Sequence, residues 1–129
     1  MPMVKIEMRA GKTAAYKKAL LDGVHQALVV AFKIPDNDRV QKICEFTPEN
    51  MEIPANKTAD YIIIEITAFQ GRSLDAKRNL YKNIVTELSA RTGIRGDDIA
   101  IILQEVPLEN WGVRGKPASE VDIGFKVNV

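Results

Sequence analysis

Shifted by sixty positions, this chain of 129 residues lies on itself without a gap. Gly71-Arg72-Ser73 falls on Gly11-Lys12-Thr13, Lys77 on Lys17, Leu80 on Leu20, Ile84 on Val24 and Leu88 on Leu28. The register persists through Ile94 on Ile34, Asp98 on Asp38, Glu105 on Glu45 and Glu109-Asn110 on Glu49-Asn50. A repeat this long is a whole supersecondary unit, so the chain reads as two fused copies of one unit.

Each copy spells out the same unit. In the first, Val4, Ile6 and Met8 alternate with Lys5, Glu7 and Arg9, the period of a strand with one packed face. Gly11 breaks it. Thr13 stands as an N-cap, and Tyr16, Leu20, Val24, Ala27, Leu28, Ala31 and Phe32 recur at helical spacing, predicting a helix from about 13 to 32 that Pro35 ends. Arg39 to Thr47 follows as a second strand, and residues 48–60, with two prolines and little periodicity, read as the linker between copies. In the second copy Tyr61 to Phe69 is a strand. The Gly-Arg-Ser corner then opens a helix whose core stripe is Lys77 (by its stem), Leu80, Tyr81, Ile84 and Leu88, with Gly93 at its end. Ile99 to Val106 is the fourth strand, Trp111 to Pro117 a glycine-rich basic loop, and Ile123 to Val129 a short edge strand.

The predicted fold class is α+β. Two βαβ repeats, about 2–50 and 61–110, form one domain over 1–129 with a C-terminal tail, and right-handed crossovers put both helices on one face of a four-stranded sheet. Strands three and four are apolar at nearly every position, the pattern of strands buried on both faces. Leaving the second face in water would expose an unusually large apolar patch, so an obligate homo-oligomer with sheets packed inward is expected.

Composition narrows the partners. With 18 basic and 17 acidic residues the net charge is +1, too little to draw the chain to nucleic acid or an anionic membrane, though a few local cations could hold a small acid. The apolar runs fall short of a membrane span. Cys44 is the only cysteine and reads as a plain core thiol; with no leader pattern at the start, a cytoplasmic location is expected. Ala10-Gly11-Lys12-Thr13 lacks the first glycine of a phosphate loop, since position 6 is isoleucine. The sequon Asn56-Lys57-Thr58 reads as idle, and His25, the only histidine, as a surface residue on the flank of the first helix near Lys18. No metal-ligand cluster stands out, and no cofactor is expected.

Pro2 is the candidate with chemistry of its own. A small second residue generally permits removal of the initiator methionine, which would leave Pro2 as a free secondary amine; with Met1 retained its nitrogen is an amide. An α-amino group starts from a pKa of about 7.7 to 8.0, and burial or nearby arginines push it towards neutrality, where it works as a general base without any histidine.

The repeat, the Pro2 start and the Gly-Arg-Ser corner together resemble the tautomerase superfamily, in which a unit of this length opens with a catalytic proline and occurs singly or fused. The chain is similar to the fused members related to malonate semialdehyde decarboxylase. The matching features are Pro2, Gly11-Lys12-Thr13, Ala31-Phe32, Ile34-Pro35, Asp38-Arg39, the stretch Ile66 to Tyr81, Thr92-Gly93-Ile94, Asp97-Asp98 and Asn110-Trp111-Gly112. The resemblance implies a homotrimer with a pocket where subunits meet. It makes Pro2 the catalytic amine, Arg72 the grip on a substrate carboxylate, and Asp38 the aspartate that works with the proline. Arg39 is left open between substrate contact and a structural ion pair, and Trp111 between pocket wall and core. Arg114 or Lys116 of the basic loop could assist Arg72. Two departures stand out: Gln70, placed beside the substrate, replaces a second arginine of the decarboxylase, and Val113 replaces a common aromatic.

These residues imply a cofactor-free tautomerase interconverting enol and keto forms of a small 2-oxo acid. The alternatives are a decarboxylase or hydratase, in which Pro2 stays protonated, and a non-catalytic trimeric binding protein.

Overall fold

The computed structural model describes residues 1–129. Strand β1 (Met3–Arg9) leads to helix α1 (Ala14–Phe32) and strand β2 (Val40–Phe46); β3 (Ile62–Phe69), α2 (Leu74–Thr92) and β4 (Ile99–Val106) repeat the sequence of elements. A small hairpin, β5 (Gly112–Val113) with β6 (Lys116–Pro117), follows. The main sheet runs β2-β1-β3-β4; β1 lies parallel to β2, β3 parallel to β4, and β1 antiparallel to β3.

Both helices begin and end by the same local chemistry. Thr13 Oγ1 accepts from the Tyr16 amide and Ser73 Oγ from the Ala76 amide, each at 3.1 Å, satisfying a donor the first turn leaves free. Their C-caps are left-handed, at Lys33 (φ 57°) and Gly93 (φ 78°). The first helix therefore stops at Phe32, where Lys33 turns its N–H back to the Val29 carbonyl, before Pro35 can act.

The core lies between the helices and one face of the sheet. Ile6, Ile62, Ile64 and Ile66 meet Leu20, Val24, Leu28, Leu80, Ile84 and Leu88 there, all fully buried. Tyr81, expected in the stripe of α2, is 36% exposed; Ala76 takes the buried position instead. Lys77 lies alongside β4 and bonds Glu105, as its counterpart Lys17 does Glu45 at 2.9 Å. No helix is long and apolar enough to cross a membrane.

Within the single chain β3 and β4 are covered on one face: β3 alternates between buried and half-exposed, and Ile102 of β4 is 47% exposed. Glu65 lies across from both Ile102 and Lys5 and pairs with the lysine at 3.0 Å, so the open face mixes charge with the apolar Met3, Val40 and Ile102. His25 is not at the surface but 4% exposed, while Cys44, taken for a core thiol, is half-buried. Residues 111–117 form the β5/β6 hairpin around a two-residue turn with Arg114 and Gly115 at positive φ. The tail is not an edge strand, because it crosses the end of the sheet and packs onto side chains.

The linker is held by ion pairs and hydrogen bonds. Arg9 donates to the Met51 carbonyl at 2.9 Å, and the buried Asp98 accepts from the Thr58 amide at 3.0 Å and its hydroxyl at 2.6 Å. The Thr58 hydrogen bonds, with a weaker one from Arg95, lower the Asp98 pKa from 3.8 to about 2. An unfolded chain takes up that proton near 3.8, whereas the folded one resists until about 2. The stabilisation is thus fully present above about pH 5 and lost as pH falls towards 2. In Asp98→Asn, denaturant titrations between pH 5 and pH 2 should show a weaker dependence of stability on pH than in the parent.

Candidate functional site

The corner between β3 and α2 buries a positive charge. Gly71 adopts φ 135°, a conformation costly for any residue with a side chain, and Ser73 caps α2 immediately after it. Arg72 between them is 6% exposed. Its guanidinium lies over the Phe32 ring at 4.7 Å and donates from Nη1 to the Phe69 carbonyl at 3.1 Å, but Nε and Nη2 are buried without a partner. Burial pushes its pKa down, against the pull of Glu105. Those two nitrogens form one edge of the guanidinium, the fork that binds a carboxylate through two parallel hydrogen bonds.

The start of the chain converges on the same corner. Pro2 is buried, and the Met1 ammonium donates to the Asp38 carboxylate. The pKa of this amine is lowered from 8.0 to about 5, first by burial and then by the charge on Arg72. The Asp38 carboxylate favours the ammonium form and opposes both. A cleft of about 280 Å³ opens here, lined by Met1, Pro35, Asn37, Asp38, Ile123 and Phe125.

A second apolar cluster closes the far side. Phe69, Trp111, Ala118 and Val127 are buried together, the rings of Phe69 and Trp111 meeting edge to face at 4.6 Å, with Met1, Ile123 and Phe125 packed against them. The tail reaches its place because the Ser73 amide donates to the Val129 carbonyl at 3.1 Å. Val127 and Asn128 then press on Gly71, where a Cβ would lie 2.9 Å from Val127 Cγ1 and 2.6 Å from Asn128 Oδ1.

One protomer therefore brings together the chain start, Asp38, Arg72 and Trp111, which sequence spacing leaves far apart. Arg39 turns away and pairs with Asp22 at 2.9 Å. Gln70 is exposed, its backbone N–H donating to the Val106 carbonyl, and Arg114 and Lys116 sit on the exposed hairpin, Arg114 reaching the Asp122 carbonyl at 3.3 Å. Phe32, read from the sequence as a core residue of the first helix, and Ile123 and Phe125, read as part of an edge strand, were not assigned to the site. The alternation of Ile123, Phe125, Val127 and Val129 announces one packed face, but does not say what it packs on.

In the first copy the charges of the equivalent corner are paired from within. Lys12, at the position of Arg72, pairs with Asp60 and lies 4.8 Å from the centre of the Tyr16 ring, and Asp98, at the position of Asp38, is taken up by Thr58. The two cations thus differ: Lys12 has an acceptor and Arg72 keeps two donors free, although the Tyr16 hydroxyl of the first corner is also buried without a partner.

A family model described as tautomerase enzyme matches residues 38–114, and another of the same description matches residues 2–56. The chain belongs to the tautomerase family. Among its relatives, the probable tautomerase YusQ of Bacillus subtilis (strain 168) is 28% identical over 116 residues, covering 86% of this chain and 91% of that protein. Malonate semialdehyde decarboxylase, whose crystal structures bear on decarboxylase and hydratase activities, is 29% identical with a TM-score of 0.82, covering 89% of this chain and 93% of that one. A fused 4-OT solved as a symmetric trimer shares the fold at 23% identity and a TM-score of 0.80, covering 91% of this chain and 96% of its own. The two-helix, four-strand architecture of this tautomerase-family chain is thus that of its structural neighbours.

Substituting Gly71→Ala should displace the tail from the Arg72 corner, because Val127 is buried and cannot swing clear. Hydrogen exchange would report it, with the Ser73 amide, which donates to the Val129 carbonyl, losing protection while those of β1 and β3 keep theirs.

Proposed function

We propose that this chain, once Met1 is removed, is a tautomerase that interconverts the enol and keto forms of a small 2-oxo acid. The observation that carries this reading is the buried fork of Arg72, whose Nε and Nη2 have no partner. Burying an unsatisfied guanidinium costs several kcal/mol, on the order of a lost ion pair, and a substrate carboxylate would recover that cost by binding both nitrogens. Membership of the tautomerase family supports the reaction class.

Met1 stands where the substrate would. Its side chain packs on the Phe69–Trp111–Val127 cluster, and its amine lies within reach of the charge on Arg72. Removing it would free the Pro2 nitrogen and vacate space between that cluster and the guanidinium. With the carboxylate on Arg72, the Pro2 amine takes the enol O–H proton, and the resulting ammonium returns a proton to carbon as the carbonyl forms. Asp38 would hold the ammonium between the two transfers, with Trp111 and Phe125 walling the pocket. Gln70, Arg39 and Arg114 would lie at its margin.

A decarboxylase or hydratase is the second reading, favoured by the contact of Asp38 with the terminal ammonium and by the 29% identity to malonate semialdehyde decarboxylase. The two differ in the sign of their pH dependence. Burial and Arg72 lower the amine at the chain start, so a Pro2 base would be neutral near pH 7 and lose activity only as acid protonates it. A protonated-amine mechanism would instead lose activity as pH rises.

Processed protein, verified by intact mass, should accelerate phenylenolpyruvate ketonisation with kcat/KM level from neutral to alkaline pH and falling on the acid side. Arg72→Ala should lower kcat/KM about a hundredfold, the scale of a lost charge-assisted carboxylate contact. Acceleration that declines above neutrality would favour the second reading, and no acceleration at any pH would overturn the first.

The open sheet face, with Met3, Val40 and Ile102 exposed, supports a homo-oligomer, and we propose a homotrimer. Light scattering of the native protein should return a trimer mass, and Ile102→Lys should lower it.

A further inference from the structure

The segment that carries Asp38 is clasped by one face of α1. His25 is buried to 4% exposure and its Nε2 lies 2.8 Å from the Asp36 carbonyl; a carbonyl only accepts, so Nε2 bears the proton. One turn earlier on the same face, Asp22 accepts from the Arg39 guanidinium at 2.9 Å. The two contacts bracket Asp38, which closes a turn of its own by donating from its amide to the Pro35 carbonyl at 3.0 Å. Lys33, Asp36 and Asn37 around it are exposed, so little else ties this segment down.

We infer that His25 is a positioning residue, holding the Asp38 carboxylate against the amine at the chain start through the Asp36 carbonyl, with Asp22–Arg39 as the second clasp. The catalytic part of this inference rests on the function proposed above. His25 is far too enclosed to meet substrate itself. Its ring fills core space and its polar contacts go to Asp36, two residues before Asp38: the backbone carbonyl at 2.8 Å and, more distantly, the carboxylate at 3.5 Å. A displacement of that carboxylate by an ångström is enough to cost about a hundredfold in rate.

Three substitutions test it in the processed full-length chain: His25→Ala, His25→Gln, whose amide can donate from nearly the same point, and Asp38→Asn. His25→Ala should lower kcat at least about tenfold with KM within about twofold, since the Arg72 grip is untouched. His25→Gln should recover most of that loss. In an Asp38→Asn background, His25→Ala should cost nothing further, because its effect passes through the carboxylate. Equal impairment of the Ala and Gln variants, or an undiminished His25→Ala effect without the carboxylate, would overturn the inference. Should the parent show no turnover, the functional reading fails separately, and hydrogen exchange decides on the clasp. Faster exchange confined to residues 36–39 in His25→Ala, restored in His25→Gln, upholds it; unchanged exchange there overturns it.

Discussion

The antiparallel pairing of β1 with β3 is the constraint on which the rest depends. It joins two parallel βαβ halves about a local two-fold axis. Lys5 lies on that axis, paired with Glu65, its own counterpart sixty positions on. Met3 with Thr67 is mirrored by Glu7 with Ile63, and Ile6 with Ile64 by Val4 with Ile66. In an association of two identical units the residue on the axis would face itself, and a lysine there would meet a lysine. Fusion removes that restriction, and the axial pair carries opposite charges 3.0 Å apart.

Once the halves are joined, equivalent positions are free to diverge, and they do so around their corners. The first corner is closed by Asp60 on Lys12, and its partner aspartate, Asp98, secures the linker through Thr58. The second is left with a guanidinium that is buried, stacked on Phe32 and short of two acceptors. The linker uses up the charges of one copy, while the chain start and the tail converge on the other. An asymmetric site thus grows from a nearly symmetric frame. Its electrostatics follow from placement: burial and Arg72 favour a neutral amine at the chain start, where Asp38 offers it an acceptor.

Much of the frame was legible in the residues. Alternation set β1, the 3.6-residue spacing set both helices, and Thr13, Ser73 and Gly93 marked their ends, because these signals act within a few residues of chain. The tail misled for the same reason. Alternate apolar residues at 123, 125, 127 and 129 satisfy a strand and equally a segment laid over Phe69 and Trp111. Apolar residues at most positions of β3 and β4 suggested two covered faces, and in the single chain Glu65 and Lys5 on neighbouring strands add charge to the open one. His25 was misplaced because its burial depends on the Asp36 carbonyl folding back over α1, a contact made after the helix has ended.

By itself, the sequence determined the duplication, the succession of elements and the chemical types available: a proline near the start, an arginine after a glycine corner, an aspartate after a helix. Such properties follow from local sterics and from the period of apolar residues, which the chain carries in one dimension. Which charges would be neutralised and which left open was decided only in three dimensions. Lys12 and Arg72 occupy the same place in their copies, and what distinguishes them is Asp60 reaching one while the other is buried with two of its nitrogens unpartnered.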